Sequence, residues 1–149
     1  MSYEKDLRRQ VGETPLFVPW VWAVIQDEED RLLLAVQDFS LRLPGWPLEL
    51  GEQFQETLVR GLQTELGLSD AEYRVEKQFA PKTRPRVKTP QGEVQTLDIG
   101  YLVTITGKLP RNVSADFSWI AREKVSQQQV SWNFPLPFLQ QYLQEQRKR

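Results

Sequence analysis

The chain has 149 residues, 40% of them apolar and 26% charged, which is typical of one soluble globular domain with a sizeable core. The formal net charge of −1 provides no overall field that would attract nucleic acid or an anionic membrane, so neither is expected as a partner. There is no cysteine and no histidine, which excludes disulfides, thiolate metal sites, a cysteine nucleophile and histidine-based catalysis. Any chemistry must therefore use carboxylates, lysine, tyrosine, serine or threonine.

The first third of the chain predicts a helix followed by two strands. Residues 2–10 form either a short helix or a frayed end. Leu16–Gln26 is rich in Val, Trp and Phe and predicts a strand, in which Pro19 favours an edge or a bulge. The acids of Asp27–Asp30 suit a turn, and a second strand is predicted at Arg31–Val36. The two strands and the turn make a hairpin.

An amphipathic helix is predicted at Gln53–Leu66, directly after a loop at Leu41–Gly51 that contains two Pro and two Gly. Gly67 lies where a C-cap glycine belongs, and Gly61 inside the helix should weaken it by roughly 1 kcal/mol relative to Ala. The apolar stripe of this helix recurs at steps of four: Phe54, Leu58, Leu62 and Leu66.

The rest of the chain predicts three more strands and a last helix. Tyr73–Phe79, Val94–Thr106 and Phe117–Ile120 have strand character, and Pro135–Gln146 has the apolar spacing of a helix. Mixed strands and helices in this order indicate an α/β or α+β layered domain. No long linker or internal repeat is present, so we expect a single domain over residues 1–149.

A basic segment and a pair of tryptophans are candidates for ligand binding. The cations of KTRPRVK alternate, so on an extended segment Arg84, Arg86 and Lys88 would project to one side with Lys82. They either bind a phosphate, a nucleic acid or an acidic protein surface, or belong to a solvated loop or a hairpin edge protected by charge. Two further side chains, Trp20 and Trp22, lie on one face of their strand and belong either to the core, which we favour, or to a base-stacking site.

The sequence also suggests a location. The opening residues are polar and charged, without the apolar core of a signal peptide, and no run of about 18 apolar residues occurs. We therefore expect a cytoplasmic protein without a membrane partner.

One stretch, LPGWPLELGEQFQETLVRGLQTELGL at Leu43–Leu68, resembles the Nudix box, written G-x5-E-x7-R-E-U-x-E-E-x-G-U with a Leu-Pro-Gly lead-in. The frame matches without insertion or deletion. The opening VGETPL at Val11–Leu16 is also similar to that of many bacterial members. The matching residues are Leu43, Pro44, Gly45, Glu52, Arg60, Leu62, Glu65, Gly67 and Leu68.

Three positions depart from the box. Trp46 replaces its first Gly, Gly61 replaces the Glu after the Arg, and Thr64 replaces the first Glu of the Glu-Glu pair. The resemblance implies an α/β/α sandwich with a central mixed β-sheet, and hydrolysis of a diphosphate linkage with Mg2+ or Mn2+. Because Mg2+ requires several oxygen ligands, the loss of two of three helix carboxylates leaves no catalytic set intact. Only Glu65 and Glu52 remain as candidate metal ligands.

Each of these residues also has a structural interpretation. Glu65 is either a remnant ligand or a solvated acid, and we favour helix N-terminal stabilisation over metal binding for Glu52. For Arg60 we expect an ion pair with Glu56 one turn earlier. The large ring of Trp46 either fills the emptied cleft, which we favour, or stacks on a base.

Three hypotheses follow for function. The first is a protein that binds a nucleotide or another phosphorylated small molecule in the old cleft, with weak or no hydrolase activity. The second is an active metal-dependent pyrophosphohydrolase that uses non-standard carboxylates. The third is a protein-interaction module on the same scaffold. The resemblance also makes a homodimer an expectation, because dimers are common in the family.

Overall fold

The computed structural model describes residues 3–37, 40–107, 116–125 and 136–147. Its helices are α1 (Tyr3–Val11), α2 (Phe54–Leu66), α3 (Arg122–Val125) and α4 (Leu136–Arg147), with a short 3-10 helix at Asp70–Glu72. Its strands are β1 (Leu16–Gln26), β2 (Arg31–Gln37), β3 (Ser40–Arg42), β4 (Gly45–Pro47), β5 (Tyr73–Gln78), β6 (Lys82–Thr83), β7 (Val87–Thr89), β8 (Gly92–Ile105) and β9 (Phe117–Ala121).

All of these strands belong to one mixed sheet with β1 at its centre. Strand β1 pairs in parallel with β8 along its whole length, from Leu16 opposite Val94 to Gln26 opposite Thr104. On its other side β1 pairs antiparallel with β4 and, at its end, with β2. Strands β3 and β9 extend the sheet beyond β2, while β5, β6 and β7 pair antiparallel with β8.

Two apolar cores cover the two faces of this sheet. On one face, α2 packs Leu58, Leu62 and Leu66 against the sheet. On the other face, α4 packs Phe138 and Tyr142 against it. Successive strand residues point to opposite faces, so β1 supplies both cores from alternate positions. The α/β/α sandwich with a central mixed sheet is therefore confirmed. Within the described residues, no helix is both long and apolar enough to cross a membrane.

The strongest sequence patterns predicted their elements well. Strand β1 has the predicted bounds, and α2 begins one residue after its predicted start and ends at the predicted Leu66. The C-cap glycine is confirmed as well, since Gly67 adopts the left-handed conformation with φ 66° and ψ 26°. The last helix, α4, begins at Leu136, while Pro135 lies outside the described residues.

Two local predictions were wrong. The segment Leu41–Gly51 is not only a loop, because β4 and the end of β3 lie within it, both formed through pairing with distant strands. Pro19 is not on an edge strand, since the ladder between β1 and β8 continues past it. Proline is tolerated at this position because the pairing of β1 with β4 begins only at the next residue, Trp20, so no backbone N–H is needed at residue 19. The Pro19 carbonyl still accepts a hydrogen bond from Leu48 N at 3.1 Å.

Candidate functional site

Strand β4 places the start of the box between the two cores. Gly45 and Trp46 are neighbours on this strand, so they face opposite sides of the sheet. A β-carbon at Gly45 would lie 2.2 Å from Cε3 of Trp22, which means that only glycine allows the Trp22 ring to pack here. On the other side, Trp46 is 5% exposed and belongs to the core beneath α2.

The indole of Trp46 lies directly against Gly61 of α2. A β-carbon at Gly61 would lie 2.1 Å from Cδ2 and 2.3 Å from Cε2 of the ring. Real β-carbons do not approach another atom this closely, so no side chain fits at residue 61 while Trp46 keeps its position. The departures at residues 46 and 61 are therefore coupled in packing. Trp46 places a ring where the box has glycine, and Gly61 leaves space for that ring where the box has glutamate.

Glu65 is the acid of α2 that remains in the box pattern. Its side chain is largely exposed, yet partial burial of the carboxyl raises the pKa of Glu65, and the negative charge of Asp116 raises it further. Arg42 and the indole N–H of Trp46 act in the opposite direction. The interaction with Trp46 is weak, because the buried Nε1 makes no hydrogen bond of ordinary geometry with any described residue.

Glu52 is fully occupied by structural contacts. Its carboxylate accepts hydrogen bonds from Arg60 Nε at 2.7 Å, Thr57 Oγ1 at 2.9 Å and Glu49 N at 2.9 Å. The hydrogen bond from Arg60 is the largest cause that lowers the pKa of Glu52 to about 2 from its ordinary 4.5. Arg60 also donates to the Pro47 carbonyl at 2.7 Å, so the pair joins α2 to the preceding loop.

The expected pairing of Arg60 with Glu56 was wrong. Glu56 instead accepts a hydrogen bond from the backbone N–H of Gln53 at 2.9 Å, which caps the start of α2. Glu52 therefore stabilises the junction between the loop and α2 through its hydrogen bonds with Arg60 and Thr57, and it is not the N-cap residue of the helix. Glu52 and Arg60 pair because the loop before α2 places Glu52 beside the helix. Spacing within a helix could not predict this contact, since Glu52 precedes α2.

The donor set of the box does not fit a divalent metal. No group of three or more Asp or Glu residues that could hold an ion stands together in the described part of the chain. Thr64 donates its hydroxyl to the Arg60 carbonyl at 2.7 Å, which satisfies it within the helix. A hard cation such as Mg2+ requires several oxygen ligands in a regular shell, and Glu65 alone does not provide one.

A cavity of about 850 Å³ opens on the opposite face of the sheet. This size is typical of small-molecule sites. Its cationic lining residues are Lys5, Arg8, Arg9, Arg42 and Arg84, and Glu4 is the one acid among the described lining residues. A cavity with this balance of charge favours an anionic ligand. Of the predicted cations, only Arg84 lines it.

Two stacked tryptophans form the floor of the cavity. The rings of Trp20 and Trp22 are 5.4 Å apart at an angle of 24°. Trp22 belongs to the core, as favoured from the sequence, and donates its indole N–H to Asp98 Oδ1 at 2.8 Å. Trp20 is only partly buried, so it packs against the core and still lines the cavity.

Arg84 is held above this floor by a buried acid. Its guanidinium lies 5.3 Å from the Trp22 ring centroid, and its Nε lies 2.7 Å from Asp98 Oδ2. The N–H itself points to Thr96 Oγ1 at 2.8 Å, so the contact with Asp98 is an ion pair without hydrogen-bond geometry. Because Asp98 is completely buried, the cation is fixed in the cavity wall.

The basic segment does not form one stripe. Arg86 turns to Glu93 on the neighbouring strand and makes an exposed ion pair there, while Lys88 is exposed on β7. Neither lines the cavity. The predicted alternation fails because regular strand structure is confined to the short strands β6 and β7, and Arg84 and Arg86 lie between them.

The contribution of α1 to the cavity was not predicted from the sequence. This helix supplies Glu4, Lys5, Arg8 and Arg9 to one wall of the cavity, at the intervals that one helix face provides. Burial raises the pKa of Glu4 and nearby Glu49 adds to the rise, while the positive charge of Arg8 and the neighbouring indole of Trp20 lower it. The charged pattern of this helix was the available signal, but it does not show which surface the helix covers.

Comparison with known proteins identifies the fold. No family model and no curated protein matches the sequence. Among solved structures, the chain is similar to the ORF135 protein of E. coli, with 19% identity, TM-score 0.60 and coverage of 89% of this chain and 93% of the other. It is also similar to the Nudix hydrolase RenU of M. smegmatis, with 16% identity, TM-score 0.62 and coverage of 88% and 86%.

A third similar structure contains a ligand. The Nudix domain of Shewanella oneidensis NrtR, complexed with ADP-ribose, is 16% identical, with TM-score 0.59 and coverage of 97% of this chain and 99% of that domain. At these identities the similarity establishes the fold alone. The chain has the Nudix fold, as the resemblance of Leu43–Leu68 to the box implies.

Proposed function

We propose that this Nudix-fold protein binds a nucleotide or another phosphorylated ligand and has weak or no hydrolase activity. The observation that carries the proposal is the Trp46 ring against Gly61, with a β-carbon position only 2.1 Å from the ring. A glutamate cannot occupy residue 61 beside this ring. Together with the satisfied hydroxyl of Thr64, this leaves Glu65 without neighbouring carboxylates on α2.

The remaining carboxylates of the box are also poorly placed to bind Mg2+ or Mn2+. Glu52 is committed to Arg60, and removing it from that pair would leave a half-buried guanidinium without its partner. A metal at Glu65 would have to take most of its ligands from water, which predicts weak binding. No step of a metal-dependent mechanism is therefore assigned to these residues.

The cavity beneath α1 is the proposed ligand site. Trp20 offers an aromatic surface for a planar ring, and Arg84 offers a guanidinium suited to phosphate oxygens. Because Asp98 and Thr96 already hold Arg84 in place, binding a phosphate costs little side-chain ordering. The ADP-ribose complex of the NrtR Nudix domain makes ADP-ribose a suitable first probe.

Calorimetry and a product assay on the same samples test the proposal. The full chain is titrated with ADP-ribose and with nucleoside diphosphates, and the mixtures are then incubated with Mg2+ or Mn2+ and analysed for products. We expect saturable binding without turnover. Turnover that disappears in Glu65→Gln would instead support the active hydrolase, and no binding of any phosphorylated probe would favour an interaction module.

A matched pair of variants locates the binding site. Arg84→Lys keeps the charge beside Asp98 but loses the planar fork, so affinity for the bound probe should fall about tenfold, as expected for a lost bidentate contact. Arg86→Lys, two residues away, alters a cation outside the cavity and should leave affinity unchanged. Equal effects of the two variants would exclude this cavity as the site.

A further inference from the structure

The cavity has an acid and a cation at opposite ends of its aromatic floor. Glu4 lies beside Trp20 in the cavity lining, Trp20 stacks on Trp22 at 5.4 Å, and the Trp22 ring lies 5.3 Å from the guanidinium carbon of Arg84. These contacts run in sequence from carboxylate to guanidinium. A ligand on this floor therefore meets a hydrogen-bond acceptor at one end and a fixed donor at the other.

The cation next to Glu4 is engaged elsewhere. Arg8 donates to the carbonyls of Gly12 at 3.0 Å, Thr14 at 2.7 Å and Glu93 at 3.1 Å, so its guanidinium mainly ties α1 to the sheet. A carboxylate has about four lone-pair positions, and the neighbouring indole N–H of Trp20 could use no more than one of them. Glu4 can thus accept further hydrogen bonds from a ligand.

We infer that Glu4 determines ligand specificity by accepting two hydrogen bonds from a ring with adjacent N–H donors, the pattern that guanine presents. The inference rests on the proposed ligand-binding function and names the ligand class of that same cavity. Guanine offers N1–H and N2–H side by side to a carboxylate, whereas adenine presents an acceptor at N1 that a carboxylate repels. The ring would lie on Trp20, with its phosphates directed to Arg84.

The charge of the cavity decides against a different ligand for the same acid. A carboxylate beside tryptophan also suits an ammonium group. However, although Arg84 pairs with Asp98 and Arg9 with Asp6, three further cationic side chains, Lys5, Arg8 and Arg42, belong to the described lining with this one acid, so the field opposes a cationic ligand. A neutral ring edge at Glu4 combined with phosphate at Arg84 satisfies both ends.

Calorimetry with three nucleotides tests the inference on the full chain without added metal. GDP, IDP and ADP share their diphosphate, and IDP differs from GDP only by lacking the N2 amino group. We expect GDP to bind about tenfold more tightly than IDP or ADP, the discrimination typical of a bidentate base contact. In Glu4→Gln the amide replaces an acceptor with a donor, so the three affinities should converge.

Controls separate a specific role from a structural one. Glu13→Gln removes an exposed acid of the same N-terminal segment that does not line the cavity, and it should keep the preference for GDP. If Glu4→Gln weakens all three nucleotides equally, or if wild-type protein binds GDP and ADP equally, the role of Glu4 is overturned while ligand binding stands. If neither these nucleotides nor ADP-ribose bind, the proposed function fails as well.

Discussion

On the face of the sheet covered by α2, Trp46 fills the space beside the helix, whereas on the opposite face a cavity of about 850 Å³ stays open beneath α1. The charges differ in the same way. Glu52 and Arg60 form an ion pair, and Arg60 also bonds to the backbone of the preceding loop. Arg84 pairs with the buried Asp98 but still lines the open cavity. A metal site requires several carboxylates close together, whereas a cavity can bind a ligand through the residues that line it. The frame of the box and the proposed ligand site are thus separate parts of one fold.

The largest predicted effect concerns the ion pair at the cavity. Arg84→Gln leaves the fully buried Asp98 without its cation, so the free energy of unfolding should fall by about 3 kcal/mol, as when one partner of a buried pair is removed. Arg86→Gln breaks an exposed pair and should cost roughly 0–1 kcal/mol. Urea denaturation of both variants measures the difference. Similar losses would show that Asp98 does not depend on Arg84.

The second prediction concerns the packing of Trp46 on Gly61. Gly→Ala in a helix interior ordinarily stabilises by about 1 kcal/mol. Here the added β-carbon meets the ring, so Gly61→Ala should destabilise by about 1–3 kcal/mol, the usual cost of overpacking a core. In a Trp46→Leu background the penalty should shrink or reverse. Thermal unfolding of the four proteins tests this coupling, and a stabilising Gly61→Ala in wild type would refute it.

The third prediction concerns the pH dependence due to Glu52. Because its folded pKa is lowered to about 2 from an ordinary 4.5, the ionised group stabilises the fold above about pH 4.5. This contribution is lost as pH falls from about 4.5 towards 2. Glu52→Gln should therefore flatten the stability curve in that window, measured by urea denaturation at several pH values. Glu28→Gln, which removes an acid from an exposed turn, serves as the comparison, and an equal change in both would contradict the role of Arg60.

Local patterns in the sequence predicted the elements that local forces determine. The steps of four in α2 and the glycine after it were sufficient, because helix spacing and C-cap conformation depend on neighbours in the chain. The short strand β4 was missed because it exists only through pairing with β1, about 25 residues earlier by register from Val21 to Trp46.

The candidate site was predictable only in part. Substitution at residues 46, 61 and 64 indicated that the carboxylate cluster was lost, and the structure adds that the Trp46 ring leaves no room for a side chain at residue 61. The cavity was not predictable, since it joins α1 to residues of β1 and of the segment after β6. Arg84 and Arg86 look equivalent in the sequence, and only tertiary packing separates them.

Titration with Mn2+, followed by the electron paramagnetic resonance of the free ion, tests the central claim without knowledge of the natural ligand. If the box has lost its metal site, wild-type protein and Glu65→Gln should leave the free Mn2+ signal equally unchanged at sub-millimolar concentrations. A Trp46→Gly, Gly61→Glu, Thr64→Glu triple variant, which opens the space and restores both carboxylates, should reduce that signal. A site in wild-type protein that disappears in Glu65→Gln would contradict the account.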